Sequence, residues 1–205
     1  IGTNQHEAKL YTALMPSGET LNEKGLFNRT HRMVRAFNQD KAMTQKIIET
    51  YKKAREDTLP IEPQEILDAI STDFRFRISG ILLAETQCKH QPNVFSYLFT
   101  YKSPEMGGKL GACHALEIRF VFGTLGDTAR MIYPKRTKET DILSEKMMNS
   151  WISFAQNGNP NHDSIPAWNP YDLENRSTML FGPEVKVVDD PFKTERMAWE
   201  GLYTL

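Results

Sequence analysis

The sequence has little of several features that mark specialised classes of protein. It contains two cysteines among 205 residues, Cys88 and Cys113, which are too few for a disulfide framework. We expect both to be free thiols rather than a bridged pair. Two tracts, 88–90 and 113–114, place a cysteine near a histidine. Neither has the paired Cys-x-x-Cys spacing of a structural zinc site, so the sequence predicts no metal centre.

Excess charge and long apolar runs are also missing. The 25 basic and 26 acidic residues give a net charge of -1, which argues against a nucleic-acid or anionic-membrane partner held by bulk charge. The run 73–77, Asp-Phe-Arg-Phe-Arg, is interpreted as a partly buried salt-bridge cluster rather than a nucleic-acid patch. No apolar run approaches the roughly 18 residues that span a bilayer. The composition is that of a globular domain with one core.

One stretch of the chain combines a strand, a glycine-bearing loop and a histidine. Residues 93–101 are rich in aromatic and β-branched side chains and predict a buried strand. A loop containing His114 follows, and residues 117–122 predict an amphipathic helix. A loop histidine just past a strand is where an α/β enzyme holds a proton-transfer base, since the strand fixes its position. The alternative from spacing alone is a histidine that only hydrogen-bonds a neighbour.

The residues around His114 resemble the histidine segment of type-B carboxylesterases, the family of the cholinesterases and the bacterial para-nitrobenzyl esterases. Residues 111–123 are Gly-Ala-Cys-His-Ala-Leu-Glu-Ile-Arg-Phe-Val-Phe-Gly. The family pattern is roughly Gly-Ala-x-His-Gly-x-Glu-(apolar)-x-Phe-Val-Phe-Gly. The resemblance implies that His114 is the general base of a Ser-Glu-His triad. Ala115 replaces the usual glycine, which we expect to alter the loop slightly, and Glu117 could orient the loop or lie simply at the surface.

A second informative stretch, residues 2–8, opens the chain with Gly-Thr-Asn-Gln-His-Glu-Ala. Its start predicts a strand end, followed by a polar turn and a helix. Taken alone, Glu7 is a solvated acid that complements a helix dipole. The stretch resembles the type-B esterase motif Gly-Thr-Asn-x-Asp-Glu-Gly, which implies that Glu7 is the triad acid. It departs from that motif on both sides of the acid, at His6 and Ala8. Acid before histidine is the α/β-hydrolase order after the serine.

The chain lacks the third member of such a triad. It contains no Gly-x-Ser-x-Gly elbow and no Gly-Gly-rich oxyanion loop. Ser17 and Ser79 precede glycines, but they are predicted in a turn and a helix. The family has both missing parts upstream of the point where this chain begins. We therefore expect residues 1–205 to be the C-terminal portion of a single α/β-hydrolase domain whose N-terminal portion carries the nucleophile.

The other segments predict the scaffold of this portion. Residues 15–25 predict an exposed loop, and helices are predicted over 26–37, 40–56, 64–89 and 141–156. Asp40 is expected to cap the helix over 40–56, and Gly158 to end the helix over 141–156. The apolar side of the helix over 141–156 is predicted to contain Ile142, Leu143, Met147, Met148, Trp151, Ile152, Phe154 and Ala155. The second helix is expected to bury Ala42, Ile47, Ile48, Tyr51 and Ala54. Residues 178–181 and 185–190 predict a small edge hairpin, and Pro191 opens a last helix. The predicted fold class is α/β: helix-rich, with a few sheet strands.

Together these features predict a serine carboxylesterase that needs no cofactor and acts on small-molecule esters, in which this chain supplies Glu7 and His114. By itself the chain should not turn over esters, because it has no nucleophile. The alternative is a non-catalytic, cholinesterase-like interaction module, which has no need to retain both residues at triad positions. The lack of disulfide pairing favours a bacterial cytoplasmic enzyme over a secreted animal one.

Overall fold

The computed structural model describes residues 1–14 and 21–203. In chain order its strands and α-helices are β1 (Gly2–Asn4), α1 (Lys9–Ala13), α2 (Glu23–Val34), α3 (Lys41–Arg55), α4 (Pro63–Thr72), α5 (Ile78–Gln87), β2 (Ser96–Phe99), α6 (Ile118–Val121), α7 (Lys138–Asn157), β3 (Ser177–Phe181), β4 (Lys186–Asp189) and α8 (Lys193–Met197). The chain divides into a sheet unit, residues 1–13 and 80–191, and a helical unit, residues 14–79 and 192–205. No helix in the described part is both long and apolar enough to cross a membrane.

The sheet unit is built on four strands in the order β1-β2-β3-β4. β1 pairs in parallel with β2, where Asn4 lies opposite Phe99, and β2 pairs in parallel with β3. β3 and β4 form the antiparallel hairpin, with Thr178 opposite Val188, that the sequence predicted. The strand predicted over 93–101 is confirmed, although only 96–99 are paired as a strand. The sheet is therefore mixed, and its two parallel pairings fix where the loops after β1 and β2 emerge.

Helix α7 provides the long helical layer of this unit. It begins at Lys138, earlier than the predicted 141, because Thr137 caps it: Thr137 Oγ1 accepts a hydrogen bond from the Thr140 amide, and Thr140 Oγ1 accepts one from the Thr137 amide. Gly158 ends it in the left-handed conformation, as predicted.

Aromatic and aliphatic side chains from β2, β3, α6 and α7 form the core of the sheet unit. Leu143 and Met147 are the buried residues of α7 in this core, and Trp151 packs against it. Three other apolar residues of α7, predicted to face the core, are more than 40% exposed, so its buried stripe is narrower than predicted: Ile142, Ile152 and Phe154. The fully buried members of the core are Phe99, Leu110, Ala112, Cys113, Leu116, Phe120, Met147, Met179 and Phe181.

The helical unit contains α2, α3, α4 and α8. Asp40 caps α3 as predicted, since its Oδ1 accepts a hydrogen bond from the Met43 amide over 2.9 Å. Ile47, Ile48 and Tyr51 of α3 are buried as predicted. The same expectation was wrong for two small side chains at either end of the helix, because both face solvent: Ala42 and Ala54.

A buried network of charged groups occupies the interior of the helical unit. Arg77 donates to Asp73 from Nε and Nη2, both over 2.6 Å. Tyr51 donates to the same carboxylate, and Arg55 donates to Glu195 over 2.6 and 3.2 Å. The salt-bridge interpretation of 73–77 is confirmed. The same five residues form a π-helical turn, and the two that pair, Asp73 and Arg77, are its first and last residues.

The loop predicted over 15–25 differs from the structure at its end. Residues 15–20, which include Ser17, lie outside the described residues. Helix α2 already begins at Glu23, because the Asn22 side chain accepts a hydrogen bond from the Gly25 amide over 2.9 Å. The prediction was wrong for residues 23–25, where an asparagine cap was mistaken for turn composition.

Candidate active site

Glu7 and His114 follow neighbouring strands of the sheet unit. β1 and β2 run parallel, so the chain leaves both strands at the same edge of the sheet. Open α/β sheets place functional groups at this carboxyl edge. Glu7 lies in the turn between β1 and α1, and His114 lies in the turn that leads into α6. Two residues 107 positions apart in sequence are thereby brought together.

The two side chains are directly hydrogen-bonded. His114 Nδ1 lies 2.7 Å from Glu7 Oε2. Since an ionised carboxylate can only accept, the bond assigns the Nδ1 proton to His114 and leaves Nε2 as the basic nitrogen of the neutral ring. The Glu7 side chain is 7% exposed, whereas that of His114 is 41% exposed. The pair therefore presents a buried acid behind an accessible base.

The environment of Glu7 rules out the solvated acid that its sequence position alone would allow. Its other oxygen, Oε1, accepts a hydrogen bond from the Asn4 amide over 2.8 Å. Burial raises the pKa of Glu7 above the ordinary glutamate value, and the bonds from Asn4 and His114 oppose that rise. The negative charge of Glu117 adds to it. Glu7 is thus a desolvated carboxylate whose two oxygens are each held by a donor.

Asn4 is a site residue that the sequence reasoning did not single out. It is buried, and its Nδ2 donates to the Cys113 carbonyl over 2.7 Å and to the Glu117 carboxylate. Asn4 therefore contacts the main chain next to His114, while its own amide binds Glu7. The signal was present in the sequence as the third residue of the Gly-Thr-Asn motif. Glu117 is part of this network rather than a simple surface acid.

One aromatic side chain lies beside the base. The ring of Tyr11, in α1, stacks on the ring of His114 with 6.0 Å between centroids and 28° between planes. Tyr11 is 41% exposed. The Tyr11 ring limits the orientations that the imidazole of His114 can adopt, but it does not cover the imidazole completely.

A model of the carboxylesterase family matches residues 1–199 of this sequence. The chain belongs to the carboxylesterase family. The para-nitrobenzyl esterase of Bacillus subtilis (strain 168) is 30% identical over 156 residues, which are 76% of this chain and 29% of that protein. Carboxylesterase 1C of Mus musculus is 28% identical over 194 residues, which are 90% of this chain and 34% of that protein.

The fold of this chain is similar to that of two solved esterase structures. A PNB esterase superposes with a TM-score of 0.70 at 25% identity, covering 98% of this chain and 37% of that one. A thermophilic PNB esterase gives a TM-score of 0.69 with the same coverage. The predicted α/β-hydrolase fold class is confirmed. The chain spans between 29% and 37% of the length of these relatives.

The carboxylesterase pattern has glycine where this chain has Ala115, and the backbone there explains the preference. Ala115 adopts a left-handed conformation with φ of 66°. Glycine reaches that region without steric cost, whereas a side chain with a Cβ is strained there. His114 is hydrogen-bonded to Glu7 with alanine at this position.

Neither cysteine of the chain takes part in a disulfide, as predicted. Cys113, next to the base, is buried, and burial raises the pKa of its thiol to about 12. A thiol with such a pKa is almost wholly protonated near neutrality and is a poor nucleophile. The described residues contain no group of three or more histidine, cysteine or acidic side chains that could hold a metal ion.

The two serines that precede glycine differ in what the structure says of them. Ser17 lies outside the described residues. Ser79 lies within α5, as the sequence predicted, and a helix interior is not the strand-to-helix turn of a nucleophile elbow. The geometry therefore brings together the predicted acid and base, and it places Ser79 within a helix rather than at an elbow.

Proposed function

We propose that this chain supplies the acid and the base of a Ser-Glu-His triad in a carboxylic-ester hydrolase. The serine and the oxyanion donors would come from an N-terminal portion of the same enzyme, outside the 205 residues. The observation that carries the proposal is the 2.7 Å bond between His114 Nδ1 and Glu7 Oε2, which leaves Nε2 as the basic nitrogen of a side chain that is 41% exposed. Family membership and relatives named as esterases support it.

The proposed reaction uses His114 twice. Nε2 takes the proton of the serine hydroxyl as the serine oxygen attacks the ester carbonyl, forming the tetrahedral intermediate. The resulting imidazolium returns that proton to the leaving alcohol as the carbon–oxygen bond breaks. A water molecule then repeats both transfers on the acyl-enzyme and releases the carboxylic acid. The proton balance closes on His114, so no metal or cofactor enters.

Glu7 would stabilise the positive charge that forms on His114. Its carboxylate is buried and fixed at both oxygens, so it needs no reorganisation when the imidazolium appears. A carboxylate in this position also holds the productive tautomer, because only the Nδ1–H form can donate to it. Burial strengthens the attraction, since an effective dielectric lower than that of water screens it less.

The test is a fluorophosphonate serine probe applied to the native material, followed by intact-mass measurement. A label on a larger or companion polypeptide supports the proposal. A lone unlabelled species near 23.5 kDa would mean a catalytically incomplete fragment or an interaction module. A labelled species of that mass would place the nucleophile within this chain and contradict the assignment of the serine to another portion.

Substitution of the base tests the role of His114 in the complete enzyme. His114→Ala should lower kcat by several orders of magnitude. His90→Ala is the matched control, because His90 is an exposed histidine of the same unit outside the site. Near-normal activity of His114→Ala would refute the assignment. Bacterial cytoplasmic location stays a proposal that rests on the unpaired cysteines, and fractionation of the native host would test it.

A further inference from the structure

The turn that carries Glu7 and the loop that carries His114 are joined by a pair of hydrogen bonds at His6. The His6 amide donates to the Ala112 carbonyl over 2.9 Å. The Ala112 amide donates back to His6 Nδ1 over 3.1 Å. Both main-chain groups of Ala112 are therefore bound by one residue, and that residue is the immediate neighbour of the acid.

The residue before Ala112 is shaped to receive the His6 ring. Gly111 is left-handed, with φ of 54°, and a Cβ built on it would lie 2.9 Å from His6 Nδ1 and 3.0 Å from Cγ. Contacts between a Cβ and a ring below about 3 Å do not occur without movement of one partner, so the imidazole packs directly on the glycine backbone. Gly111 thus permits both the turn and the approach.

We propose that His6 is a positioning residue that fixes the separation of Glu7 and His114. The proposal rests on the triad function above and adds a residue at which this chain departs from the carboxylesterase motif, which has aspartate there. A side chain at this position acts on both triad members at once: it adjoins Glu7 in sequence and binds the loop two residues before His114.

The two histidines carry their protons on opposite nitrogens. His6 Nδ1 accepts from an amide, so this nitrogen is unprotonated and the neutral ring carries its proton on Nε2. His114 Nδ1 donates to Glu7 and carries the proton there. His6 is therefore suited to hold the loop as a neutral acceptor, and it does not compete with His114 for the carboxylate through the nitrogen that binds Ala112.

The bond from Asn4 Nδ2 to the Cys113 carbonyl is a further link between the same two segments. Cys113 follows Ala112 and precedes His114, so the main chain is bound at two successive residues just before the base. Removing the side-chain acceptor of His6 would release the Ala112 amide while the Asn4 link remains. A displacement of about 1 Å in a catalytic group can cost about a hundredfold in rate. We therefore expect loss of turnover without unfolding.

The experiment compares four forms of the complete enzyme: the unsubstituted protein, His6→Ala, His6→Asn and His90→Ala. Asparagine is the conservative variant, since its Oδ1 is bonded to Cγ as Nδ1 is in histidine and can accept the Ala112 amide proton. His6→Ala should lower kcat about 10- to 100-fold with little change in KM. His6→Asn should restore most of the loss, and His90→Ala should have no effect.

Amide hydrogen exchange of the peptide that covers residues 110–114 supplies a readout independent of activity. Exchange should accelerate in His6→Ala and return towards the original rate in His6→Asn. Two results would overturn the positioning role. One is faster exchange in His6→Ala with unchanged kcat, and the other is a folded His6→Asn whose kcat is as low as that of His6→Ala. If His6→Ala does not fold, the test is the kcat of His6→Asn compared with that of the unsubstituted enzyme, and a large loss of kcat in His6→Asn would contradict the proposal. An unsubstituted enzyme without esterase activity would reject the triad function, while exchange would still report on the link.

Discussion

The hydroxyl of Tyr133 donates a hydrogen bond to the main-chain carbonyl of Ala115, with 3.2 Å between the two oxygens. Ala115 follows His114 and has the left-handed backbone described above. The guanidinium of Arg119 lies over the Tyr133 ring, 4.3 Å from its centroid, in a cation–π contact. Ala115, the strained residue next to His114, is thus bound by Tyr133 from outside its own loop, and Arg119 in turn holds the Tyr133 ring in place.

Removing the Tyr133 hydroxyl should lower the stability of the chain slightly. It should also lower kcat in the complete enzyme, because the hydrogen bond is made to the residue next to His114. Tyr133→Phe keeps the ring and its contact with Arg119 but leaves the Ala115 carbonyl without this donor. We expect a loss of about 1 kcal/mol in the free energy of unfolding, measured by urea denaturation.

Tyr203→Phe is the matched control, because the Tyr203 hydroxyl also donates to a main-chain carbonyl, that of Phe74, in the helical unit. It should show a similar loss of stability without the loss of kcat. An equal fall of kcat in both variants would mean that Tyr133 contributes only to general stability.

Ala115→Gly should stabilise the chain. Left-handed backbone costs a residue with a Cβ about 1–2 kcal/mol, and glycine offsets part of that gain because its unfolded state has more conformations. The expected net gain is about 1 kcal/mol in the free energy of unfolding. Ala84→Gly, inside α5, is the control and should lose about 1 kcal/mol. A loss at both positions would contradict the strain argument.

Local signals carried the sequence predictions that succeeded. The strand at 96–99, the Asp40 cap and the Gly158 end each depend on residues close together in sequence. Glu7 and His114 were singled out by motif resemblance, and the parallel pairing of the strands before them brings the two side chains together. Asn4 was visible as the third residue of the Gly-Thr-Asn motif, but its role lies in contacts 109 and 113 positions away, which the motif alone does not reveal.

The helical unit shows the same limit. The run 73–77 predicted a salt-bridge cluster, but the partnership of Arg55 with Glu195 spans 140 positions and depends on the packing of α3 and α8. The expectation for Ala42 and Ala54 failed because helical periodicity does not tell which small residues at the margin of a stripe are covered.

Glu7→Gln should change how stability depends on pH. Well below the ordinary glutamate pKa of about 4.3, Glu7 is protonated in both the folded and the unfolded chain, and its ionisation then contributes nothing to the free energy of unfolding. Because burial raises its pKa in the folded chain, the unfolded chain releases the proton first as pH rises. The contribution of Glu7 to stability therefore falls through the interval up to the raised pKa, then stays constant. The variant should lack this fall.

Urea denaturation at a series of pH values from 3 to 8 would measure this difference between the original chain and Glu7→Gln. The variant should also lose kcat at every pH in the complete enzyme, by about 10⁴-fold, since glutamine can hold the wrong tautomer of His114. Stability curves that remain parallel over the whole pH range would show that the pKa of Glu7 is not raised.

Glu195→Gln should be among the most destabilising single substitutions in the helical unit. Its carboxylate accepts both bonds from Arg55 and lies 3.9 Å from Arg77, and all three side chains are buried. Without its charge, Asp73 alone would face two buried guanidinium groups, and uncompensated buried charge costs about 3–5 kcal/mol. The exposed pair of Lys52 with Glu23, at 2.7 Å, provides the control.

Glu23→Gln removes a carboxylate that is 65% exposed, so water screens the pair and the loss should stay below about 1 kcal/mol. The loss of stability in both variants would be measured from the midpoints of urea denaturation curves that have equal slopes. Both substitutions remove one charge and keep nearly the same side-chain volume, so their difference isolates the effect of burial. Equal losses in the two variants would mean that the buried network is hydrated enough to tolerate an unpaired arginine.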